Sequence, residues 1–171
     1  QAADTYTGPN PVQLTKCPWC GTQMGAFQYN VVQVSKGSEL LEIVCNSDHC
    51  LFGANGNGAK LPIFVVDEDI YRSRPTLLIA TVDKFAQVAW NPSLGKIFNI
   101  GFSDPPPELI IQDELHLMSG PLGTLTGLYE TAVDLLCDHE SYKPKITAST
   151  ATIRSASTQT KNLFARDSFQ F

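Results

Sequence analysis

The chain has 171 residues, of which 43% are hydrophobic, a fraction that is ordinary for globular proteins and excludes a mostly disordered chain. Its length suits one ordinary domain with a small satellite. The formal net charge is −5, which excludes a general electrostatic attraction to nucleic acid, so any nucleic-acid contact must use a local strip of the surface.

The hydropathy and the first residues set further bounds. No stretch reaches the roughly 20 uncharged apolar residues that a membrane-spanning helix needs, so we expect no membrane contact. Residues 1–6 are too polar for a secretory signal and do not begin with Met. We therefore interpret the chain as a segment of a longer protein, which we expect in the cytoplasm.

Three regions follow one another along the chain. Residues 1–11 are polar and contain proline, which is typical of a connecting segment. Residues 12–58 hold four cysteines around two alternating runs, Phe27–Val34 and Leu40–Val44, which fit the strands of a hairpin. Residues 59–171 alternate short apolar runs with helical patterns. We predict a small β-rich, zinc-ribbon-like insertion at 12–58, followed by an α/β region.

Four of the five cysteines form two close pairs. Cys17 and Cys20 have the two-residue spacing of a zinc knuckle and are followed by glycine, and Cys45 and Cys50 supply a second pair. Tetrahedral zinc takes two such pairs of thiolates. We predict one structural Zn²⁺ on these four cysteines. A disulfide is the alternative, and His49 is an alternative ligand in place of Cys45 or Cys50.

The α/β region contains four candidate strands and three candidate helices. Apolar runs at 61–66, 76–80, 108–111 and 145–148 predict strands, and patterns at 83–90, 124–137 and 155–164 predict helices. This alternation argues for a buried parallel sheet covered by helices. Residues at spacings of three and four give the middle helix one apolar face. That face consists of Leu125, Leu128, Thr131, Ala132, Leu135 and Leu136.

The segment from Glu108 to His116 carries the chemistry, because an apolar strand ends there in two adjacent carboxylates, Asp113 and Glu114. Ligands of open α/β sheets bind beyond the carboxyl ends of the strands, so this pair lies where a nucleotide would bind. One carboxylate there can hold Mg²⁺ through its waters, and its neighbour can orient and deprotonate the attacking water. The alternative is a solvated strand end.

The nucleotide interpretation is strengthened by a resemblance that covers this segment and two others. The stretch 113–116, Asp-Glu-Leu-His, resembles motif II of superfamily 2 helicases in a DEAH-type variant. Thr150-Ala151-Thr152 resembles their Ser-Ala-Thr motif III, with Thr in place of Ser, and the stretch from Ile79 to Phe85 resembles motif Ib. The order and spacing of the three match one RecA-like lobe. The resemblance therefore implies the C-terminal part of a first RecA-like lobe at 59–171.

The resemblance also implies a role for each matched residue. Asp113 would coordinate Mg²⁺ through water, Glu114 would act as general base, and His116 would relay the nucleotide state to motif III. The relay would be completed by Thr150, Ala151 and Thr152. The phosphate backbone of a nucleic acid would be contacted by Thr81 and Lys84, for which a helix N-cap and a solvated surface charge are the alternatives.

A basic pair precedes motif Ib. Arg72 and Arg74 stand close to Tyr71, which makes them candidate nucleic-acid contacts, whereas the alternative is a turn before the next strand. Most of 61–171 is similar to the helicase subunit of the bacterial DISARM phage-defence system, and the stretches 81–85, 112–124 and 149–154 carry that likeness. That likeness implies ATP and Mg²⁺ as cofactors and nucleic acid, DNA in preference to RNA, as a partner. Other parts of the same helicase and other defence subunits would be further partners.

One required motif is absent from the sequence. No Gly-x-x-x-x-Gly-Lys-Ser/Thr segment occurs, and the glycines of 53–58 lack the Lys-Ser/Thr end. The cradle for the β- and γ-phosphates must then come from elsewhere, so we expect negligible ATP hydrolysis by this chain alone. The alternative function is a zinc-containing module, on a degenerate RecA-like scaffold, that binds nucleic acid or protein without catalysis.

Overall fold

The computed structural model describes residues 10–53, 59–117, 120–138, 143–150 and 156–169. These residues form a mixed α/β protein that separates into two compact units, Gln1–Pro75 and Thr76–Phe171. Within the described ranges, no helix combines the length and apolar character needed to cross a membrane.

A β-hairpin forms the framework of the first unit. Strand β1 (Tyr29–Ser35) pairs antiparallel with β2 (Ser38–Ile43), and the register runs from Tyr29 opposite Ile43 to Ser35 opposite Ser38. The turn contains Gly37 with φ 78°, a left-handed conformation that glycine adopts without steric cost. The hairpin expected from the alternating runs is confirmed, with β1 beginning two residues later than predicted.

The cysteines themselves make up much of the core of the first unit. Cys17, Cys45 and Cys50 are buried together with Ile43 and Leu61. Around them pack the partly buried side chains of Leu14, Met24, Tyr29, Phe52, Ile63 and Val65. A unit this small buries little apolar surface. Its stability therefore depends on what holds the cysteine sulfurs in place.

A short helix joins the hairpin to the end of the first unit. In α1 (Asp67–Ser73) the carboxylate of Asp69 is buried and accepts a hydrogen bond from the Leu41 backbone N–H at 3.0 Å. Arg72 of the same helix donates to the Glu39 carbonyl at 2.9 Å. Both contacts tie α1 to β2. Residues 59–75, which the sequence patterns group with the later region, thus lie in the same compact unit as the cysteines, and the domain boundaries themselves stay a prediction.

Among its described residues, the second unit contains a pair of parallel strands and three α-helices. In chain order these are α2 (Val82–Ala86), β3 (Leu109–Gln112), α3 (Gly120–Leu136), β4 (Lys145–Ala148) and α4 (Ala156–Phe164), with 3-10 helices at Gln87–Ala89, Pro92–Phe98 and Leu115–Leu117. Strand β3 pairs with β4 in parallel, Leu109 opposite Lys145 and Gln112 opposite Ala148. The predicted parallel sheet is confirmed for these two strands, and the three predicted helices are present.

Two of the predicted strands are not formed. The run 61–66 contributes only one bridge, from Leu61 to Ile43, and the run 76–80 adopts no strand. In the latter, Leu77 and Ile79 are 73% and 89% exposed. A strand needs a neighbour for its backbone N–H and C=O groups, and among the described residues none pairs with this run. An apolar run was therefore not sufficient by itself to predict a strand.

Helix α3 does not bury the face that its leucines define. Leu125, Leu128 and Leu135 are each more than half exposed, whereas Thr126 and Cys137 are buried. Thr126 and Cys137 lie eleven residues apart, three turns of helix, so they share one face. The inward face of α3 within this unit is therefore different from the one that the 3.6-residue pattern indicates.

Candidate functional site

The first cysteine pair lies in a tight backbone turn. The Cys17 N–H donates to the Thr22 carbonyl at 2.8 Å, and the Gly21 N–H donates to the Cys17 carbonyl at 2.9 Å. Gly21 has φ 76°, which a side chain would make strained. This turn brings the Cys17 and Cys20 sulfurs to the same side of the loop, as the spacing predicts.

The second pair lies in a wider loop closed by a close backbone approach. The Cys45 N–H donates to the Phe52 carbonyl at 2.7 Å, and the Gly53 N–H donates to the Cys50 carbonyl at 3.0 Å. A Cβ on Gly53 would lie 2.2 Å from the Ser47 carbonyl oxygen, a separation that no side chain tolerates. Gly53 is thus required by the loop that presents Cys45 and Cys50.

The four sulfur atoms meet at one point. Cys20 Sγ lies 3.6 Å from Cys45 Sγ, and Cys17 Sγ lies 3.9 Å from Cys50 Sγ. All four ligand atoms lie within 4.8 Å of one another. Four thiolates at about 2.3 Å from a tetrahedral zinc stand roughly 3.8 Å apart, whereas a disulfide bond is about 2.05 Å long. The donor set therefore fits a zinc ion, and the separations exclude disulfides in this structure.

His49 does not join this cluster. His49 is an exposed residue of the loop between Cys45 and Cys50. Among the described residues, the four cysteines form the group that could hold one ion. The cysteine set, and not the alternative with an imidazole, is the one that the described residues bring together.

The sulfurs have unequal surroundings. Burial raises the pKa of Cys45 to about 12 and also raises the pKa of Cys50. Hydrogen bonding with the Thr22 hydroxyl, 3.2 Å away, and with the Thr22 backbone lowers the pKa of the exposed Cys20 to about 6. Buried thiols of this kind do not ionise unaided at neutral pH, and a divalent cation offsets that cost because a coordinated thiol is deprotonated.

A second constellation lies beyond the carboxyl ends of β3 and β4. Because Gln112 is paired with Ala148, the next residues, Asp113 and Ser149, lie side by side. The Ser149 N–H donates to the Gln112 carbonyl at 2.9 Å, and the Ser149 carbonyl accepts from the Leu115 N–H at 2.9 Å. The backbone of Ser149 thus forms hydrogen bonds with the residues on both sides of the predicted catalytic pair, Asp113 and Glu114.

The Asp113 carboxylate is held by two donors. Its Oδ1 accepts from the Glu114 backbone N–H at 3.0 Å and from the Ser149 hydroxyl. These two hydrogen bonds, that of Ser149 first, lower the pKa of Asp113. Glu114 has a left-handed backbone with φ 54°, and its Oε2 lies 3.3 Å from His116 Nδ1. The side chains of Asp113, Glu114 and His116 therefore lie around one strand end.

Ser149 makes this contact but is not among the site residues predicted from the sequence. The resemblance assigned the motif III role to the three residues after it. Of these, Thr150 is half-buried, while Ala151 and Thr152 lie outside the described residues. The available signal was the position of Ser149 directly after a predicted parallel strand, where a side chain meets the end of the neighbouring strand.

The four predicted nucleic-acid contacts do not lie in one unit. Thr81 occupies the N-cap position of α2 without a side-chain capping bond to that helix, and Lys84 lies half-buried in α2. Arg74 is the C-cap of α1 with φ 48°. Arg72 is engaged with Glu39 and lies 3.7 Å from the carboxylate of Asp69. Their contacts with nucleic acid stay a prediction, and Arg72 has a clear structural task.

These features define a class of protein: a mixed α/β chain with a four-cysteine candidate metal centre and an acidic parallel-strand end. The chain is similar to the DISARM protein DrmA of Bacillus paralicheniformis, with 35% identity over 189 aligned positions, in an alignment that covers 90% of this chain. The chain spans only 16% of the length of that relative. No family model and no solved structure matches the chain.

Proposed function

We propose that this chain is a segment of a DrmA-like, ATP-dependent helicase or translocase that acts on DNA in DISARM-type phage defence. The similarity to DrmA over 90% of the chain supports the link to that defence system. Residues 59–171 would then be the C-terminal part of a first RecA-like lobe, with 12–58 as a zinc-ribbon-like insertion. The protein would act in the bacterial cytoplasm, together with the rest of its own polypeptide and with other defence subunits.

One observation carries the catalytic part of the proposal. The in-register parallel pairing of β3 with β4 brings Asp113, Glu114 and Ser149 to the same edge of the sheet. In open α/β proteins this edge is where nucleotides bind. Mg²⁺ prefers carboxylate oxygens and water, and the side chains of Asp113 and Glu114 would supply such oxygens at this edge.

The residues would divide the work by their positions. Asp113, whose lowered pKa keeps it ionised, would hold the waters of Mg²⁺, and Glu114 would orient and deprotonate the attacking water. His116, already 3.3 Å from Glu114, would link that residue to motif III at Thr150. When bound, magnesium–ATP supplies the reactive phosphate. The phosphate-binding loop would come from another part of the protein.

The cysteine cluster would hold one structural Zn²⁺. Three of its four residues are buried in the core of the first unit, and the four sulfurs leave no position for a substrate, which is typical of a structural and not a catalytic zinc. The ion would replace the apolar core that a unit of this size lacks.

ATP hydrolysis by the full-length protein tests the catalytic proposal. We expect Glu114→Gln to lower the Mg²⁺-dependent rate by about 100-fold or more, because general base catalysis contributes at least that much. Glu108→Gln is the matched control, since Glu108 is exposed at the opposite end of the same strand pair and should leave the rate unchanged. The 171-residue chain by itself should hydrolyse ATP negligibly.

The second candidate function is a non-catalytic module that binds nucleic acid or protein. The self-contained cysteine core of the first unit favours it, because such a unit needs no nucleotide to fold. This function predicts that the full-length protein hydrolyses no ATP, or that Glu114→Gln and Glu108→Gln hydrolyse it at the same rate. Either result would remove the catalytic proposal and leave the binding one.

A further inference from the structure

Ser149 makes contacts on both sides of the acidic pair. Its backbone N–H donates to Gln112, the residue before Asp113, and its carbonyl accepts from Leu115, the residue after Glu114, each at 2.9 Å. No other described residue of β4 or its end makes backbone contacts on both sides of this turn. The turn of β3 that presents the carboxylates is therefore clamped to the end of β4 at residue 149.

The side chain of Ser149 adds to this clamp. Its hydroxyl donates to Asp113 Oδ1 and lies 3.4 Å from the Glu114 backbone nitrogen. The same nitrogen donates to Asp113 Oδ1 at 3.0 Å. Hydroxyl, carboxylate and backbone N–H thus form a closed triangle. A hydrogen bond to a charged group is stronger than one between neutral groups, so the carboxylate is held in a defined orientation.

The backbone conformation of Glu114 depends on these contacts. With φ 54°, Glu114 adopts a left-handed conformation, which non-glycine residues keep only where surrounding contacts enforce it. The enforcing contacts end on Ser149 and on Asp113, which Ser149 itself holds. Loss of the hydroxyl would free the carboxylate and weaken the turn at the same time.

We propose that Ser149 is a positioning residue that holds the Asp113 carboxylate and the Glu114 turn in the arrangement that receives magnesium–nucleotide. This inference rests on the proposed ATPase function and adds to it a residue outside the matched motifs. In this role Ser149 acts through Asp113, to which its hydroxyl donates. A carboxylate that is already oriented loses less freedom when it binds the waters of Mg²⁺, so the hydroxyl should set how much Mg²⁺ the enzyme needs.

The test compares hydroxyl-bearing and hydroxyl-free side chains at 149 in the full-length protein. Ser149→Thr and Ser149→Val have the same bulk and differ only in the hydroxyl, and Ser149→Ala removes it without added bulk. ATP hydrolysis is measured against free Mg²⁺ concentration, and the thermal unfolding midpoint of each variant is recorded. Ser103→Ala, at an exposed serine of the same unit, is the control.

We expect Ser149→Ala and Ser149→Val to need about tenfold more Mg²⁺ for half-maximal hydrolysis, the fold-change available from one hydrogen bond to a charged group. Ser149→Thr should stay within about threefold of the unchanged protein, and Ser103→Ala should match it. Equal Mg²⁺ dependence in the Thr and Val variants would overturn the inference, even if both were slower or less stable, because a purely structural role follows bulk and not the hydroxyl.

Different results would contradict the role of Ser149 and the ATPase proposal. Hydrolysis that is lost in Glu114→Gln but keeps its Mg²⁺ dependence in Ser149→Ala and Ser149→Val overturns the role of Ser149 alone. A full-length protein without Mg²⁺-dependent hydrolysis overturns the ATPase proposal and the role of Ser149 with it.

Discussion

The two units of this chain bury their side chains in opposite ways. In the first, the cysteines, Ile43 and Leu61 form one continuous core to which the hairpin and flanking loops contribute. In the second, the strand residues Leu109 and Ile111 and the helix residue Leu128 are each at least half exposed. The first unit therefore has a core of its own that includes three of the four clustered cysteines, whereas the second leaves large apolar side chains of its strands and helix exposed.

This difference shows where stability comes from in each unit. A unit that packs around four thiols depends on one local feature, the state of the sulfurs. A unit with a two-stranded sheet depends on many weak contacts and on whatever lies beyond its open faces. The two tryptophans of the chain, Trp19 and Trp90, lie one in each unit. Replacing either with phenylalanine leaves a fluorescent reporter of the other unit alone.

Loss of one buried cysteine should have the largest effect. We expect Cys45→Ser to abolish zinc binding and to unfold the first unit, because structural zinc contributes on the order of 10 kcal/mol in small domains. Metal analysis should give about one zinc per unchanged chain and almost none for the variant. In the Trp90→Phe background, Trp19 emission should change greatly in the variant.

The matched control for this experiment is Cys137→Ser, a change at a buried cysteine of the second unit. It should keep its zinc and leave Trp19 emission unchanged. If the unchanged chain binds no zinc, or if Cys45→Ser keeps it, the comparison between a metal-dependent and a metal-independent unit would be wrong.

A smaller effect is expected from Gly53→Ala. The added Cβ would lie 2.2 Å from the Ser47 carbonyl, so the loop that presents Cys45 and Cys50 must shift. We expect the variant to lose zinc at about tenfold lower chelator concentration, equivalent to roughly 1.4 kcal/mol. Gly25→Ala is the control, because its Cβ would meet nothing within 4 Å and its backbone is extended. Equal zinc retention by the two variants would show that the second loop tolerates a side chain.

The smallest effect should be a pH response of the second unit. Burial, and then the charge of Asp134, raises the pKa of Glu130 to about 7 from an ordinary value of 4.5. Because the folded state binds the proton more tightly, the stabilisation is fully present below about pH 4.5 and is lost as the pH rises through about 7. We expect unfolding free energy to fall by about 1–2 kcal/mol across this window, discounted for partial access to water.

Glu130→Gln should remove that part of the pH dependence and make the unit more stable at about pH 8. The measurement is urea unfolding at about pH 5 and about pH 8, followed by Trp90 emission in the Trp19→Phe background. Glu108→Gln, at an exposed carboxylate, should leave the pH dependence as it was. A pH response that is the same with and without Glu130 would mean that α3 does not bury this carboxylate.

The parts of the site that depend on short spacing were predictable. Two cysteines separated by two residues and followed by glycine favour a turn that places both sulfurs on one side. The second pair of cysteines supplies the other two ligands of a tetrahedral site. The hairpin between the pairs followed from alternation, and β3 and β4 followed from apolar runs that end in polar residues. In each case the determining residues lie within a few positions of one another.

Contacts between distant segments were not predictable in the same way. The run 76–80 has the composition of a strand but finds no neighbour among the described residues. Helix α3 has a leucine face, yet the buried side chains are those of Thr126 in the helix and Cys137 directly after it. Composition states which residues prefer burial, but it does not state which element will cover them.

Local spacing and backbone preference were enough to predict the four-cysteine set, the hairpin, the acidic strand end and the helix positions. The contact of Ser149 with Asp113, the left-handed turn at Glu114 and the need for glycine at position 53 became visible only in the folded chain. These three features arise where two segments approach within hydrogen-bond distance. Such distances are fixed by chain pairing across 36 residues in the first case, which no local pattern encodes.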